Sequence, residues 1–260
     1  MTNNYKIVLL GSGNVAFHIA EMLKNSDINI YQIYNINEDS GKKLAEKYNS
    51  IFTNNINKID TNADLYIIAV KDNFIKNIID KLNINNGIVV HTSGTTDINV
   101  FANKFDNFGI LYPLQTFTKN IELNYKEIPF LIEANNSKTL DFINNIASSI
   151  SNNIIHTSSE QRVSIHIAAV FACNFTNYFY SIANDMLEKQ NLSFNLLKPL
   201  INETTRKAIN TKPKKNQTGP AKRKDIAIIN KHLEILAKNK EIQKLYGLIS
   251  EMIINSNNVN

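Results

Sequence analysis

A single cysteine, Cys173, stands among 260 residues, which excludes an internal disulfide framework and fits a reducing compartment. No apolar run is long enough to span a bilayer, and the N-terminus lacks the charged and apolar regions of a signal peptide. A cytoplasmic chain with no membrane partner is expected. Acidic residues are the minority, 23 against 28 lysines and arginines, for a net charge of +5. The basic residues gather only once, from Lys212 to Lys224, with no interleaved aromatics and no match to a nucleic-acid module. That cluster predicts a solvated loop that meets an anionic small molecule, and no nucleic-acid partner. Glycine is scarce, with eight residues, yet two of the eight open the most informative stretch. The remaining balance, 43% hydrophobic and 20% charged, is ordinary for a globular chain with core enough for one large domain or two modest ones. Asparagine, isoleucine and lysine are abundant throughout without repeats, which reads as codon bias rather than functional low complexity.

The informative stretch runs from Tyr5 to Ala16. An apolar run rich in β-formers, Ile7 to Leu10, stops at Gly11-Ser12-Gly13-Asn14-Val15-Ala16, after which Val15, Ile19, Met22 and Leu23 recur at helical steps. Strand, tight turn and helix joined by G-x-G-x-x-A form a dinucleotide-binding pattern. Gly11 permits the turn, Gly13 lets the backbone approach a pyrophosphate, and Ala16 lets the helix pack on the strand. Free N–H groups of the first helical turn then face the phosphates. The competing reading is a plain turn that holds no ligand.

Ile28 to Tyr34 reads as a second strand. In NAD-binding folds an acidic residue often ends this strand and accepts the ribose hydroxyls. Here Asn35 stands near that position, Glu38 and Asp39 follow a turn late, and Lys42 and Lys43 open the next helix. The missing acid tilts the cofactor toward NADP, with NAD still possible. Leu65 to Val70 is a continuous apolar run of the kind buried on both faces, and its end, at Val70, belongs at the cofactor crevice. Gly87 to Val90 forms another strand ending in His91-Thr92-Ser93-Gly94. Ser93 there either touches the nicotinamide or substrate, or caps a helix starting near Thr96; His91 reads as a hydrogen-bonded structural histidine. The β-α alternation predicts a doubly wound, mainly parallel α/β sheet of Rossmann type over residues 1–157.

From Ser158 the pattern turns all-α, giving a second, helical domain over 158–260. Ser158 to Gln161 forms a capping box for a long helix to about Lys189, and Pro199 falls in the first two turns of the next. Arg162, His166, Val170, Asn174 and Asn177 recur at steps of three and four, which predicts one shared polar face. His166 and Asn174 on that face are either hydrogen-bonded packing residues or the wall of a polar cleft. Cys173 reads as a small core residue. The loop Gln217-Thr218-Gly219-Pro220 through Arg223 and Asp225 suits an anionic ligand, or serves only as a connector to a capped helix.

Together with Tyr112-Pro113-Leu114-Gln115-Thr116-Phe117, these motifs resemble an uncharacterised bacterial family over essentially the whole chain. That family joins a Rossmann-like NAD(P)-binding domain to a helical domain of unknown function. It is related more distantly to pyrroline-5-carboxylate reductase and the 6-phosphogluconate dehydrogenase superfamily. The resemblance implies an NADP-dependent oxidoreductase that dimerises through its helical domain. Two departures stand out. The family's histidine before Pro-Leu is here Tyr112, and the lysine with asparagine four residues later that serves hydroxyacid dehydrogenases is missing.

The resulting expectation is hydride transfer between a nicotinamide and a small carbonyl, imine or hydroxy-acid substrate. Gly11 to Ala16 and Asn35 would hold the cofactor, with Val70 and Ser93 bordering the nicotinamide. His166 would serve as general acid, Asn174 would orient substrate, and Gln217, Thr218 or Arg223 would grip an anionic group. The alternative is a non-catalytic NAD(P)-binding sensor or assembly protein, which Tyr112 and the missing lysine favour.

Overall fold

The computed structural model describes residues 5–256. Contacts divide them into two compact units, one ending at Phe179 and one beginning at Tyr180.

In the first unit β1 (Ile7–Leu10) is wholly buried, and its alternate residues feed two separate cores. Ile7 and Leu9 pack on one face of the sheet with Ile19, Leu23 and Ile143, while Val8 and Leu10 pack on the other with Ile75, Ile78 and Phe101. A strand apolar on both sides can be satisfied only by helices on both sides, which is why the run reads as unbroken hydrophobics. β1 is joined by β2 (Ile30–Tyr34), β3 (Ile51–Thr53), β4 (Leu65–Ile68), β5 (Ile88–His91), β6 (Phe108–Pro113), β7 (Phe130–Ala134) and β8 (Ile154–His156). Their order is β3-β2-β1-β4-β5-β6-β7-β8. Every neighbouring pair is parallel except β6 with β7. The mainly parallel, doubly wound sheet expected from the sequence is therefore present. Its order reverses between β1 and β4, the switch point beside which such sheets bind ligands.

The covering helices are α1 (Asn14–Asn25), α2 (Glu38–Lys47), α3 (Asp72–Lys81) and α4 (Ser137–Ile150). The helix expected near Thr96 is only a short 3-10 turn, Ile98–Phe101. α5 (Ser159–Ala169) begins with the expected capping box, Ser158 and Gln161 each bonding the other's backbone N–H. Its first turns are tied to the sheet by Arg162. That side chain is fully buried, ion-paired with Glu133 of β7, and donates to the Thr96 carbonyl. Ser159 Oγ donates to the same carboxylate at 2.8 Å.

The single regular helix expected from Ser159 to Lys189 is interrupted. Val170–Phe175 is a π-helical segment, followed by α6 (Thr176–Glu188). Because i→i+5 bonding widens the turn, each residue of this segment advances through a smaller angle, which shifts the register of the residues beyond Val170 on those before it. Arg162 is buried and His166 half-buried, whereas Asn174, Asn177 and Cys173 are exposed. The core role expected for Cys173 is thereby corrected.

The second unit contains α7 (Lys198–Asn210), α8 (Ile226–Ile235) and α9 (Lys240–Ser256). Pro199 stands in the first turn of α7, where its missing N–H costs nothing. α8 and α9 are joined by His232 Nδ1 and the Tyr246 hydroxyl at 2.7 Å, and by Gln243 Nε2 donating to the Leu233 carbonyl at 2.7 Å. From Tyr180 onward only Ala221, Ile229 and Ser250 are buried among the described residues. Leu196, Leu200, Ile209, Ile235, Leu248 and Met252 are each more than half exposed. Among the described residues no helix is long and apolar enough to cross a membrane.

Candidate functional site

At the switch point a cleft of about 810 Å³ opens over the carboxyl ends of β1, β2 and β4. Gly11, Ser12, Gly13, Asn14 and Val15 form one wall, Asn35 and Val70 stand at the ends of β2 and β4, and Ala16 is buried beneath, packed into the core. The two glycines of the turn differ in kind. Gly11 has φ +124, and a Cβ there would lie 2.2 Å from the Ala69 carbonyl oxygen, so the fold itself requires glycine. A Cβ at Gly13 would meet nothing within 4 Å. Gly13 also lines the cleft, where a ligand backbone could lie.

Gly13 is also the N-cap of α1. It brings no capping side chain, and the first turn of the helix holds no acid. The N–H groups at this end are left for an anion, with the helix dipole behind them. At the end of β2 a polar network lies in place of a carboxylate. Asn35 Nδ2 donates to the Asn37 carbonyl at 2.7 Å and to Ser40 Oγ at 3.1 Å, and Ser40 Oγ meets Ser12 Oγ at 2.9 Å. Lys42, a possible cation here by sequence, is ion-paired at 2.6 Å with Glu38 on its own helix. Ile36 and Phe74, 69% and 48% exposed, give the cleft apolar walls just beyond β2 and β4.

Beyond β5 and β6 a second group comes together. The Tyr112 hydroxyl lies 3.0 Å from His166 Nδ1, and a Cβ at Gly94 would stand 2.5 Å from that nitrogen. Gly94 thus admits the imidazole against the strand ends. Burial, reinforced by the Asp72 carboxylate, pushes the Tyr112 phenol up from its ordinary value, so it remains a hydroxyl and can donate to Nδ1. Asp72, which lines the cleft, also accepts from Thr95 Oγ1 at 2.8 Å. Ser93 Oγ accepts from the N–H groups of Thr95 and Thr96 at 3.1 and 3.0 Å and so holds a turn; the 3-10 turn that follows is capped by Asp97, not by Ser93.

His91 is fully buried, stacked on Phe101, and its Nδ1 accepts from the Ser93 N–H at 3.1 Å. Burial, with the nearby Arg162 charge, pulls its pKa down to about 3. The unfolded chain binds this proton near pH 6.5 and the folded chain only near 3, so stability falls as pH drops through that window. His91→Asn keeps an acceptor near the Nδ1 position but does not titrate. Denaturant unfolding between pH 6.5 and 5 should show the native chain losing up to ~1.4 kcal/mol per pH unit more than this variant.

The remaining predicted residues lie elsewhere. Asn174 is exposed in the π-helical segment. Gln217, Thr218 and Arg223 belong to the second unit and are exposed. Gln217 Nε2 donates to its neighbour Thr218's carbonyl at 3.1 Å, Gly219 turns the chain at φ +100, and Asp225 caps α8. Sequence reasoning missed Tyr34, Ile36, Asn37 and Phe74. Ile36 and Asn37 follow a strand's carboxyl end directly, which was a usable signal; the pairing of Tyr112 with His166 left none.

Residues 6–93 match the family described as NADP oxidoreductase coenzyme F420-dependent, and residues 128–253 match the domain of unknown function DUF2520. None of the curated proteins matches the chain. A candidate NADP oxidoreductase from Bacteroides fragilis is 39% identical, with TM-score 0.91 over 98% of this chain and 100% of its own. A protein from Thermotoga maritima is 22% identical, with TM-score 0.71 over 97% and 99%. Plasmodium falciparum pyrroline carboxylate reductase, solved with NADP bound, is 14% identical, with TM-score 0.60 over 98% and 99%, a likeness of fold. The chain belongs to the family of the Bacteroides fragilis protein, in which a Rossmann domain of the NADP oxidoreductase type precedes a DUF2520 domain.

Proposed function

We propose that this chain transfers hydride between NADP and a small carbonyl, imine or hydroxy-acid substrate. The observation that carries the reading is the cleft beside the uncapped first turn of α1, open above Gly13 and free of any acid at the end of β2. Gly11 to Val15 would receive the pyrophosphate, with Ala16 packing the helix beneath. Ile36 and Phe74 would flank the adenine, and Val70 would border the nicotinamide. Preference for NADP over NAD rests on Asn35, whose amide would not repel a 2′-phosphate as a carboxylate would.

Bound cofactor supplies the hydride; the chain's task is position and a proton. As an imidazolium, His166 would deliver its Nε2 proton and be left a neutral ring, whose Nδ1 then accepts from the Tyr112 hydroxyl. Ser93 shapes the turn that brings Gly94 beneath the ring, and it retains a hydroxyl proton to donate. Asn174 would orient substrate, and Gln217, Thr218 and Arg223 would hold an anionic substituent. The exposed leucines and isoleucines of the second unit support a homodimer formed through the helices. The test is NADPH oxidation across small keto acids, imines and aldehydes. Turnover of one class, lowered ~100-fold or more by His166→Asn with NADPH affinity kept, is the expected result. Tight binding with no turnover of any substrate would instead favour a sensor.

A further inference from the structure

The segment that links β6 to β7 lies across the first turns of α1. Asn14 Nδ2 donates to the Phe117 carbonyl at 2.9 Å. Buried His18 bonds the Thr118 carbonyl through Nε2 at 2.8 Å and the Tyr125 hydroxyl through Nδ1 at 2.9 Å, and its ring stacks on Phe117. Two residues beyond Thr118 the chain turns back, with Asn120 at φ 62. Lys119, half-buried at this bend, sends its ammonium to the glycine turn, where Nζ donates to the Ser12 carbonyl at 2.7 Å. Among the described residues no carboxylate lies within ion-pair distance of it. A half-buried ammonium without a counter-charge is costly, and here it is retained beside an uncapped helix start.

The peptide geometry gives that bond a consequence. In a planar trans peptide the carbonyl and the following N–H point in opposite directions. The ammonium bound to the Ser12 carbonyl therefore fixes the direction of the Gly13 N–H. Within a turn bounded by glycines on both sides, this plane would otherwise rotate easily. Gly13 lies on the cleft wall. We propose that Lys119 is a positioning residue for the dinucleotide: it holds the Ser12–Gly13 peptide with its N–H turned to the pyrophosphate, and its unneutralised charge adds to the attraction. The inference rests on the reading of the cleft as the cofactor site. Its chemistry is indifferent to the 2′-phosphate, so it applies to NADPH and NADH alike.

Calorimetric titration of the full chain with each dinucleotide tests it. Lys119→Met should weaken both about 10-fold, and Lys119→Arg, which restores a cationic donor, should recover most of the loss. The thermal midpoint should not follow affinity. With only eight glycines, a spectrum of the chain labelled with ¹⁵N-glycine should show the Gly13 amide displaced in Lys119→Met and restored in Lys119→Arg. Unchanged affinity would overturn the proposal, as would a loss confined to NADPH, which would place the lysine at the 2′-phosphate. A midpoint that falls in step with affinity would make the segment a structural strap and also overturn it. Failure of the native chain to bind either dinucleotide would remove the underlying reading of the cleft, a result distinct from all of these.

Discussion

Aspartate at Gly13 is expected to leave the folded chain intact and abolish its dinucleotide binding. Gly13 has ordinary extended backbone angles, φ −72 and ψ −171, and a Cβ there meets nothing within 4 Å beyond its chain neighbours. The protein has no reason to unfold. A pyrophosphate lying over the turn would instead meet both bulk and a like charge. Two unit charges ~4 Å apart at an interface repel by roughly 4 kcal/mol, and each ~1.4 kcal/mol is a factor of ten in affinity. A loss of at least ~100-fold in NADPH affinity, with an unchanged thermal midpoint, is the expected pair of results. Gly11→Ala should behave in the opposite way. Its Cβ would be driven into the Ala69 carbonyl from a left-handed backbone, so the midpoint should fall before any ligand is added. The two variants separate the glycine that makes the turn from the glycine that leaves room over it.

In the homodimer proposed above, glutamate at both Leu196 and Leu200 should separate the two protomers. The two leucines stand four residues apart, Leu196 in the 3-10 turn Phe194–Leu197 and Leu200 in the first turn of α7, 58% and 62% exposed, in a unit where only Ala221, Ile229 and Ser250 are buried among the described residues. Helices with so little buried surface cannot offset the entropy of ordering them, and so much open apolar surface calls for a covering partner. A second copy supplies one by symmetry, and each substitution would then count twice across a two-fold interface. Covering one leucine stabilises by ~1.5–3 kcal/mol, so charging both on each protomer should move the dissociation constant by several orders of magnitude. Sedimentation velocity should give twice the chain mass of 29.5 kDa for the native protein and the single mass for the variant. A native chain that sediments as a monomer with its helices intact would contradict this arrangement.

What could be read from sequence was the part written in local patterns. β1, the glycine turn and α1 are contiguous, and the unbroken apolar run of the strand and the 3.6 period of the helix declare them; so does the capping box at Ser158. Asn35 and Val70 were legible as cleft residues because strand ends in a parallel sheet point to one edge. The π-helical segment was not legible, since nothing in Val170–Phe175 marks i→i+5 bonding. Arg162 was seen as part of that stripe, but its acid partner lies 29 residues earlier on β7. The two contacts on which the proposed site rests span the chain. Tyr112 reaches His166 across 54 residues, and Lys119 reaches Ser12 across 107. Such pairs follow from how the sheet is wound, and no single stretch records them.

The central claim is that the cleft over Gly13 holds a nicotinamide dinucleotide, and the most direct measurement is a fluorescence titration of NADPH with the native 260-residue chain, with NADH run in parallel. Saturable enhancement and blue shift of the nicotinamide emission at micromolar protein, weaker with NADH and absent in Gly13→Asp, is the predicted result. Emission that stays that of free NADPH at every protein concentration would contradict it.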